Sequence, residues 1–309
     1  MSEIIFHHYA VSPVAEKVRA GLGVKRLAWR SVEHNRLPDR PELFAMTAGY
    51  RRIPVMQIGA DIYCDSQCIL RELERRFPDP TFFPNGAPGL PWAISRWTDR
   101  EIFELMFRIA FAPVMDNLPA ALVNDRARLY LGPDADLRKE LESLPHALAQ
   151  LRGHFGWLDA NLTDGRSYLT GSKPGLQDVL AHYLLWFFTE RYARQAEFLA
   201  EFPKLVAWYG RMRAIGHGTP TPMTAAEALD VAKSSTTIVA PTEDPRDPQG
   251  LKPGMKVAIG PLTDTGEKLV EGSVRAVGRE TVVIDHRHDL CGEVAIHFPR
   301  VGYKVTIAG

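Results

Sequence analysis

The chain is poor in cysteine. Its 309 residues hold 3, Cys64, Cys68 and Cys291, an odd number with no spacing that suggests a disulfide framework. Cys64 and Cys68 do not form a C-x-x-C redox motif, so both read as small buried hydrophobes in a reducing compartment. Charge of one sign is missing as well: 37 Lys and Arg balance 37 Asp and Glu. That balance excludes a global field that would recruit nucleic acid or an anionic membrane. No apolar run reaches the roughly 20 residues of a membrane span. Residues 1–8 lack the basic head and long apolar core of a secretory signal. A cytoplasmic protein of two or three domains is expected.

What is present starts at residues 49–59, where Pro54 breaks two short apolar runs. Proline has no N–H for a ladder, so it belongs at a strand's first residue or edge. A cis Ile53-Pro54 bond would turn the Ile53 backbone outward and offer its N–H and C=O to a peptide-like ligand. Residues 55–58 read as a strand, 59–61 as a tight turn and 62–64 as the returning strand, after which Asp65-Ser66 opens a helix to residue 76. A hydroxyl and unpaired N–H groups at that helix start can seat a carboxylate. Each feature alone has a plainer reading, Pro54 as an ordinary edge proline and Ser66 as a simple cap. Their spacing makes the pair informative.

Upstream, residues 4–6 read as a strand, and Val14, Val18, Ala20 and Leu22 fall at helical spacing. Ser12 suits the cap and Pro13 the first helical position. The Ser12 hydroxyl could also donate to a thiolate at the positive end of this helix and lower a thiol pKa from near 8.5 to about 7 or below. Tyr9 is the neighbouring alternative. Residues 27–32 give a second strand and 41–46 a helical turn, so the order is β-α-β-α-β-β-α.

With Ser12-Pro13-Val14-Ala15-Glu16-Lys17-Val18-Arg19, Arg52-Ile53-Pro54-Val55 and Asp65-Ser66 in place, the segment up to residue 82 resembles the thioredoxin-like domain of cytosolic glutathione transferases. The resemblance implies that Ser12 is the thiol-activating serine of the serine-type classes. It implies that Ile53 pairs its backbone with the cysteinyl part of glutathione, and that Asp65 and Ser66 hold the γ-glutamyl amine and carboxylate. Arg52, or equally Arg51, would approach the glycyl carboxylate. A doubly anionic tripeptide needs such cations, helix N-termini and a strand-like edge. No cysteine stands near Ser12, which argues against glutaredoxin-like chemistry.

A Pro- and Gly-rich linker at 83–91 leads into helical sequence. Ile94, Trp97, Ile102, Leu105, Met106 and Ile109 describe one apolar face, with Phe103 and Phe107 four apart. This stripe reads either as core or, by the resemblance, as part of a pocket for an apolar second substrate. Residues 137–162 read as one long helix and 179–188 as a buried one. Gly175 stands where the family usually has a Ser or Thr cap, a small change in capping.

A polar linker at 234–248 is expected to be exposed. Beyond it, five short β-rich runs suggest a small SH3-like barrel, outside the segment the resemblance covers. It is expected to pack on the helical domain or a second subunit, or to bind a partner. Asp285, His286, His288, Asp289, Cys291 and His297 cluster there, but their spacing fits no usual zinc pattern, and no metal is assigned.

The expected fold is therefore α+β: a thioredoxin-like glutathione-binding domain (1–82), an all-α glutathione-transferase domain (92–232) and a small SH3-like β-barrel (250–309). The resemblance implies a homodimeric detoxification enzyme using glutathione as co-substrate and a small hydrophobic electrophile or a peroxide as second substrate. The alternatives are a non-catalytic scaffold recognising partners through the barrel, and a glutathione-dependent isomerase or dehalogenase.

Overall fold

The computed structural model describes residues 3–263 and 265–308. The chain opens with β1 (Ile5–His8), α1 (Pro13–Val24), β2 (Ala28–Glu33), α2 (Pro41–Thr47), β3 (Val55–Ile58), β4 (Asp61–Cys64) and α3 (Ser66–Arg76). Strand β1 lies between β2, parallel to it, and β3, antiparallel, and β4 pairs antiparallel with β3. All four residues of β1, β3 and β4 are buried, which is why these strands lack a polar alternation and appear in the sequence as short apolar runs.

The helical part follows. Helix α4 (Gly89–Arg96) continues through a π-helical stretch (Trp97–Ile102) into α5 (Phe103–Phe111), and a 3-10 stretch (Ala112–Asn117) leads to α6 (Ala120–Leu131). Then come α7 (Leu137–Glu142), α8 (Leu144–Asn161), α9 (Leu176–Arg191), α10 (Gln195–Leu199) and α11 (Pro203–Ile215). The single helix expected over 137–162 is thus two, divided at Ser143. Pro145 supplies no N–H, and its ring opposes the carbonyl four residues back, so the first helix stops short of it.

Helix α9 is the buried core helix of this part. Its Asp178 carboxylate accepts from the Leu169, Thr170 and Gly175 N–H groups at 2.7, 3.2 and 3.0 Å, and from Trp208 Nε1 at 2.8 Å. Gly175 stands at the cap because a Cβ there would lie 2.7 Å from the Phe82 carbonyl oxygen. The departure from a Ser or Thr cap is therefore a matter of space.

The last elements are β5 (Thr219–Pro222), α12 (Ala225–Ser234), β6 (Lys256–Pro261), β7 (Val270–Val277), β8 (Thr281–His288), β9 (Gly292–Pro299) and β10 (Tyr303–Ile307). The five C-terminal strands run in the order β10-β6-β7-β8-β9, antiparallel at each step.

They do not stand apart. Strand β9 pairs in parallel with β4, Asp61 facing Ala295 and Tyr63 facing His297, and β5 adds to β2. The result is one sheet in the order β10-β6-β7-β8-β9-β4-β3-β1-β2-β5. The expectation that the C-terminal strands pack on the helical domain is thereby corrected: the edge that β4 would otherwise present is used to hold them. An unpaired edge invites such an addition, because its N–H and C=O groups have no other partner in the sheet.

One apolar cluster spans both sets of strands, with Ile5, Val32, Leu43, Met46 and Ile62 beside Val257, Ile259, Ile284, Ile296 and Phe298. By its contacts the chain divides into two compact units. One holds residues 1–15, 28–75 and 219–309, and the other holds residues 16–27 and 76–218.

The segment expected as an exposed linker is largely exposed, and it is also anchored at several points. Thr237 Oγ1 and the Ile238 N–H donate to the Asp61 carboxylate at 2.7 and 3.1 Å. The Val239 carbonyl accepts from Arg275 at 2.6 Å.

Candidate functional site

The register brings the distant site residues together. His7 faces Val55, and Val55 faces Cys64. The chain leaving β1 towards Ser12, the chain entering β3 through Arg51, Arg52, Ile53 and Pro54, and the chain leaving β4 into Asp65 and Ser66 therefore meet at one end of the sheet.

Ser12 is buried, and its Oγ accepts the Ala15 N–H at 3.2 Å, so it caps α1. Its own N–H donates to the Tyr9 carbonyl at 3.1 Å, and Tyr9 is also buried. The Ile53-Pro54 bond is cis. Asp65 has φ 74°, a left-handed backbone that Asp tolerates better than most residues. Its Oδ1 accepts the Gln67 N–H at 2.8 Å. The carboxylate thus covers the N-terminus of α3, while buried Ser66 is the first helical residue.

Because β9 runs parallel to β4, the β9–β10 turn arrives at this same end. Because Tyr303 pairs with Pro261, so does the loop between β6 and β7. Both deliver side chains to the residues just described. The Tyr303 hydroxyl donates to Asp65 Oδ2 at 3.1 Å and shares a hydrogen bond of 2.7 Å with Tyr50. Burial first, and then the nearby Asp65 charge, push both tyrosine pKa values well up, so both are neutral donors.

Glu267 receives Arg52. Arg52 Nε lies 3.0 Å from each Glu267 oxygen, Arg52 Nη2 also donates to it, and Arg51 Nε is 3.9 Å away. Thr265 Oγ1 donates to the same carboxylate at 2.5 Å. The Glu267 side chain is 4% exposed and that of Arg52 26%. Burial works against the Arg52 charge, but the Glu267 carboxylate outweighs it and raises the guanidinium pKa.

Sequence reasoning did not find Tyr50, Thr265, Glu267 or Tyr303. Tyr50 lies beside Arg51 in the chain entering β3, but nothing local marks its hydroxyl as a partner, while Thr265, Glu267 and Tyr303 reach the site only through the C-terminal strands joined at the β4–β9 pairing.

Four of the His, Asp and Cys residues clustered in the C-terminal strands have structural partners. Asp285 pairs with Arg275, His286 Nε2 and the Cys291 thiol both donate to the Ala45 carbonyl, and His297 Nε2 donates to Asp61 at 3.1 Å. Asp61 is held below the usual carboxylate range: burial opposes this, but the bonds from His297, Thr237 and Ile238 outweigh it.

A four-stranded thioredoxin-like layer followed by an all-helical part, with a capped helix start and a proline-led strand at one sheet end, defines a class of protein. Family models agree. "Glutathione S-transferase, N-terminal domain" matches residues 6–81 and "Glutathione S-transferase, C-terminal domain" residues 126–211.

A crystal structure of a GST-like protein from Pseudomonas syringae is 32% identical and matches over 100% of both chains, with a TM-score of 0.81. A probable glutathione S-transferase, GSTU6, of Oryza sativa subsp. japonica is 27% identical over 214 residues, 66% of this chain and 81% of that one. The structure of glutathione transferase GSTFuA3 from Phanerochaete chrysosporium shares the fold at 21% identity, covering 70% of this chain and 98% of that one, with a TM-score of 0.53. This chain belongs to the glutathione S-transferase family.

Proposed function

We propose that the protein is a glutathione transferase of the serine type. In this reading the Ser12 hydroxyl turns from its cap to donate to the glutathione sulfur. The N-terminus of α1 adds a modest positive field, and the two together favour the thiolate over the thiol. Ile53 offers its backbone to the cysteinyl part. Asp65 and Ser66 take the γ-glutamyl head, and Arg52 or Arg51 faces the glycyl end. The thiolate then attacks an electrophilic carbon: a C–S bond forms, and the displaced electron pair leaves with a halide, stays on the opened epoxide oxygen, or moves along an enone to a carbon that takes up a proton. With a peroxide, the sulfur attacks oxygen: an S–O bond forms, the O–O bond breaks and the second oxygen leaves as alcohol or water with a proton, after which a second glutathione displaces water from the sulfenic acid to form the disulfide. A cytoplasmic, homodimeric detoxification enzyme belongs to the same reading.

The observation that carries it is the gathering of Ser12, Ile53, Pro54, Asp65 and Ser66 at one end of the sheet by the β1–β3 and β3–β4 register. The test is Ser12→Ala assayed with glutathione over aryl halides, epoxides, enones and peroxides. Loss of one donor to the sulfur should lower turnover on the order of 10- to 100-fold, while calorimetry still shows glutathione binding. Unchanged turnover would remove Ser12 from the chemistry and turn attention to Tyr9.

A second reading is favoured by the bonds from Arg52 to Glu267 and from Tyr303 to Asp65, which engage two groups a ligand would use. Here the body is a non-catalytic scaffold. No heat of binding at millimolar glutathione would support it. A glutathione-dependent isomerase or dehalogenase would bind the same co-substrate and differ in the electrophile screen.

A further inference from the structure

Glu267 is a carboxylate placed where the proposed function asks for room beside a cation. It comes from the loop between β6 and β7, and its contacts leave little freedom. It chelates Arg52 through Nε and Nη2, takes the Thr265 hydroxyl and lies 3.9 Å from Arg51, and its side chain is 4% exposed.

A buried carboxylate in a two-point bond to a guanidinium does not yield readily, because a partner removed from it would leave a charge out of water without compensation. A ligand carboxylate arriving at Arg52 must either displace it or sit beside it. The first leaves Glu267 desolvated without its main partner. The second places two like charges on one guanidinium, with Arg51 at 3.9 Å to offset them in part. A ligand end that carries no charge meets neither penalty and can still accept a hydrogen bond from an arginine.

We infer that Glu267 selects the co-substrate, favouring a γ-glutamyl-cysteinyl thiol whose C-terminal carboxylate is masked as an amide or ester over free glutathione. This rests on the glutathione reading above and narrows it. Glu267 is here a specificity-determining residue rather than a catalytic one. It lies at the far end of the thiol peptide from Ser12, so it acts on the affinity for that peptide and not on the reactivity of its sulfur.

The experiment is calorimetry of the full chain with two probes, glutathione and its glycyl monoethyl ester, repeated with Glu267→Gln. The wild-type protein is expected to bind the ester about tenfold more tightly than the acid, the size of effect that one unfavourable charge contact at a partly buried site produces. In E267Q the acid should tighten about tenfold while the ester moves less than about threefold. The wild-type comparison needs no variant, so a poorly folding E267Q does not remove the test.

A wild-type protein that binds free glutathione as tightly as the ester, or a ratio unchanged in E267Q, overturns the role given to Glu267 and leaves the glutathione reading standing. Absence of binding of both thiols to both proteins overturns the glutathione reading itself, and this inference falls with it.

Discussion

His7 shows how a single residue can be fixed by hydrogen-bond logic. Gln57 donates to the Gly59 and Ala228 carbonyls, so its Oε1 accepts from His7 Nε2 at 3.2 Å. That leaves His7 Nδ1 as an acceptor, filled by His34 Nε2 at 3.0 Å. Burial lowers the His7 pKa to about 4. Burial, with the nearby His7, Arg40 and His8, lowers that of His34 to about 3.

Unfolded histidines take up protons below about 6.5, whereas the folded pair stays neutral down to these values. Stability is then fully present above about pH 6.5 and falls as the pH drops towards 4, by up to ~1.4 kcal/mol per pH unit for each histidine. Urea midpoints at pH 7 and pH 5 should record the fall, and His34→Gln should reduce it by about half. An undiminished fall in that variant would assign the effect elsewhere. The sequence announced neither this pair nor Glu267. It did make Ser12, Pro54, Asp65 and Ser66 legible, because caps and proline-led strands are local devices with fixed offsets.

Elements were readable wherever one periodicity ruled. The apolar runs of β3 and β4 and the 66–76 helix came from local pattern, as did the five C-terminal strands. Pairing between distant strands has no such signature. Asp61 is the instance: nothing local marks it as the point where β4, β9 and the 237–239 segment are tied together. Its carboxylate accepts from Thr237, Ile238 and His297, and it is 1% exposed.

Asp61→Ala should cost about 2–4 kcal/mol by leaving buried donors without partners. Hydrogen exchange should quicken in β9 and the segment around residue 238 ahead of β1 and β3. Equal exchange in all of them would show that the seam does not depend on this carboxylate.

For the molecule as a whole, the C-terminal strands share the core of the thioredoxin-like layer. A chain ending at residue 249 should therefore not behave as a transferase fold that has merely lost an accessory part. It would bare the β4 edge and the apolar residues that face Val257, Ile259, Ile296 and Phe298. The expected result is a dye-binding, aggregation-prone product with an unfolding transition well below that of the full chain. A monodisperse product with an unchanged transition would show the two sets of strands to be independent. Composition made five strands legible but not their attachment, since an apolar strand looks the same whether it closes a barrel or extends a neighbour.

The two rims of the ten-stranded sheet are chemically unequal. Strand β5 reads Thr-Pro-Thr-Pro, and Pro220 and Pro222 bring no amide hydrogens to its outer side. Strand β10, Tyr303–Ile307, carries no proline. Lateral recruitment of another chain is thus blunted at one border, and fibril-like growth, if the protein is stressed into it, would begin from the other.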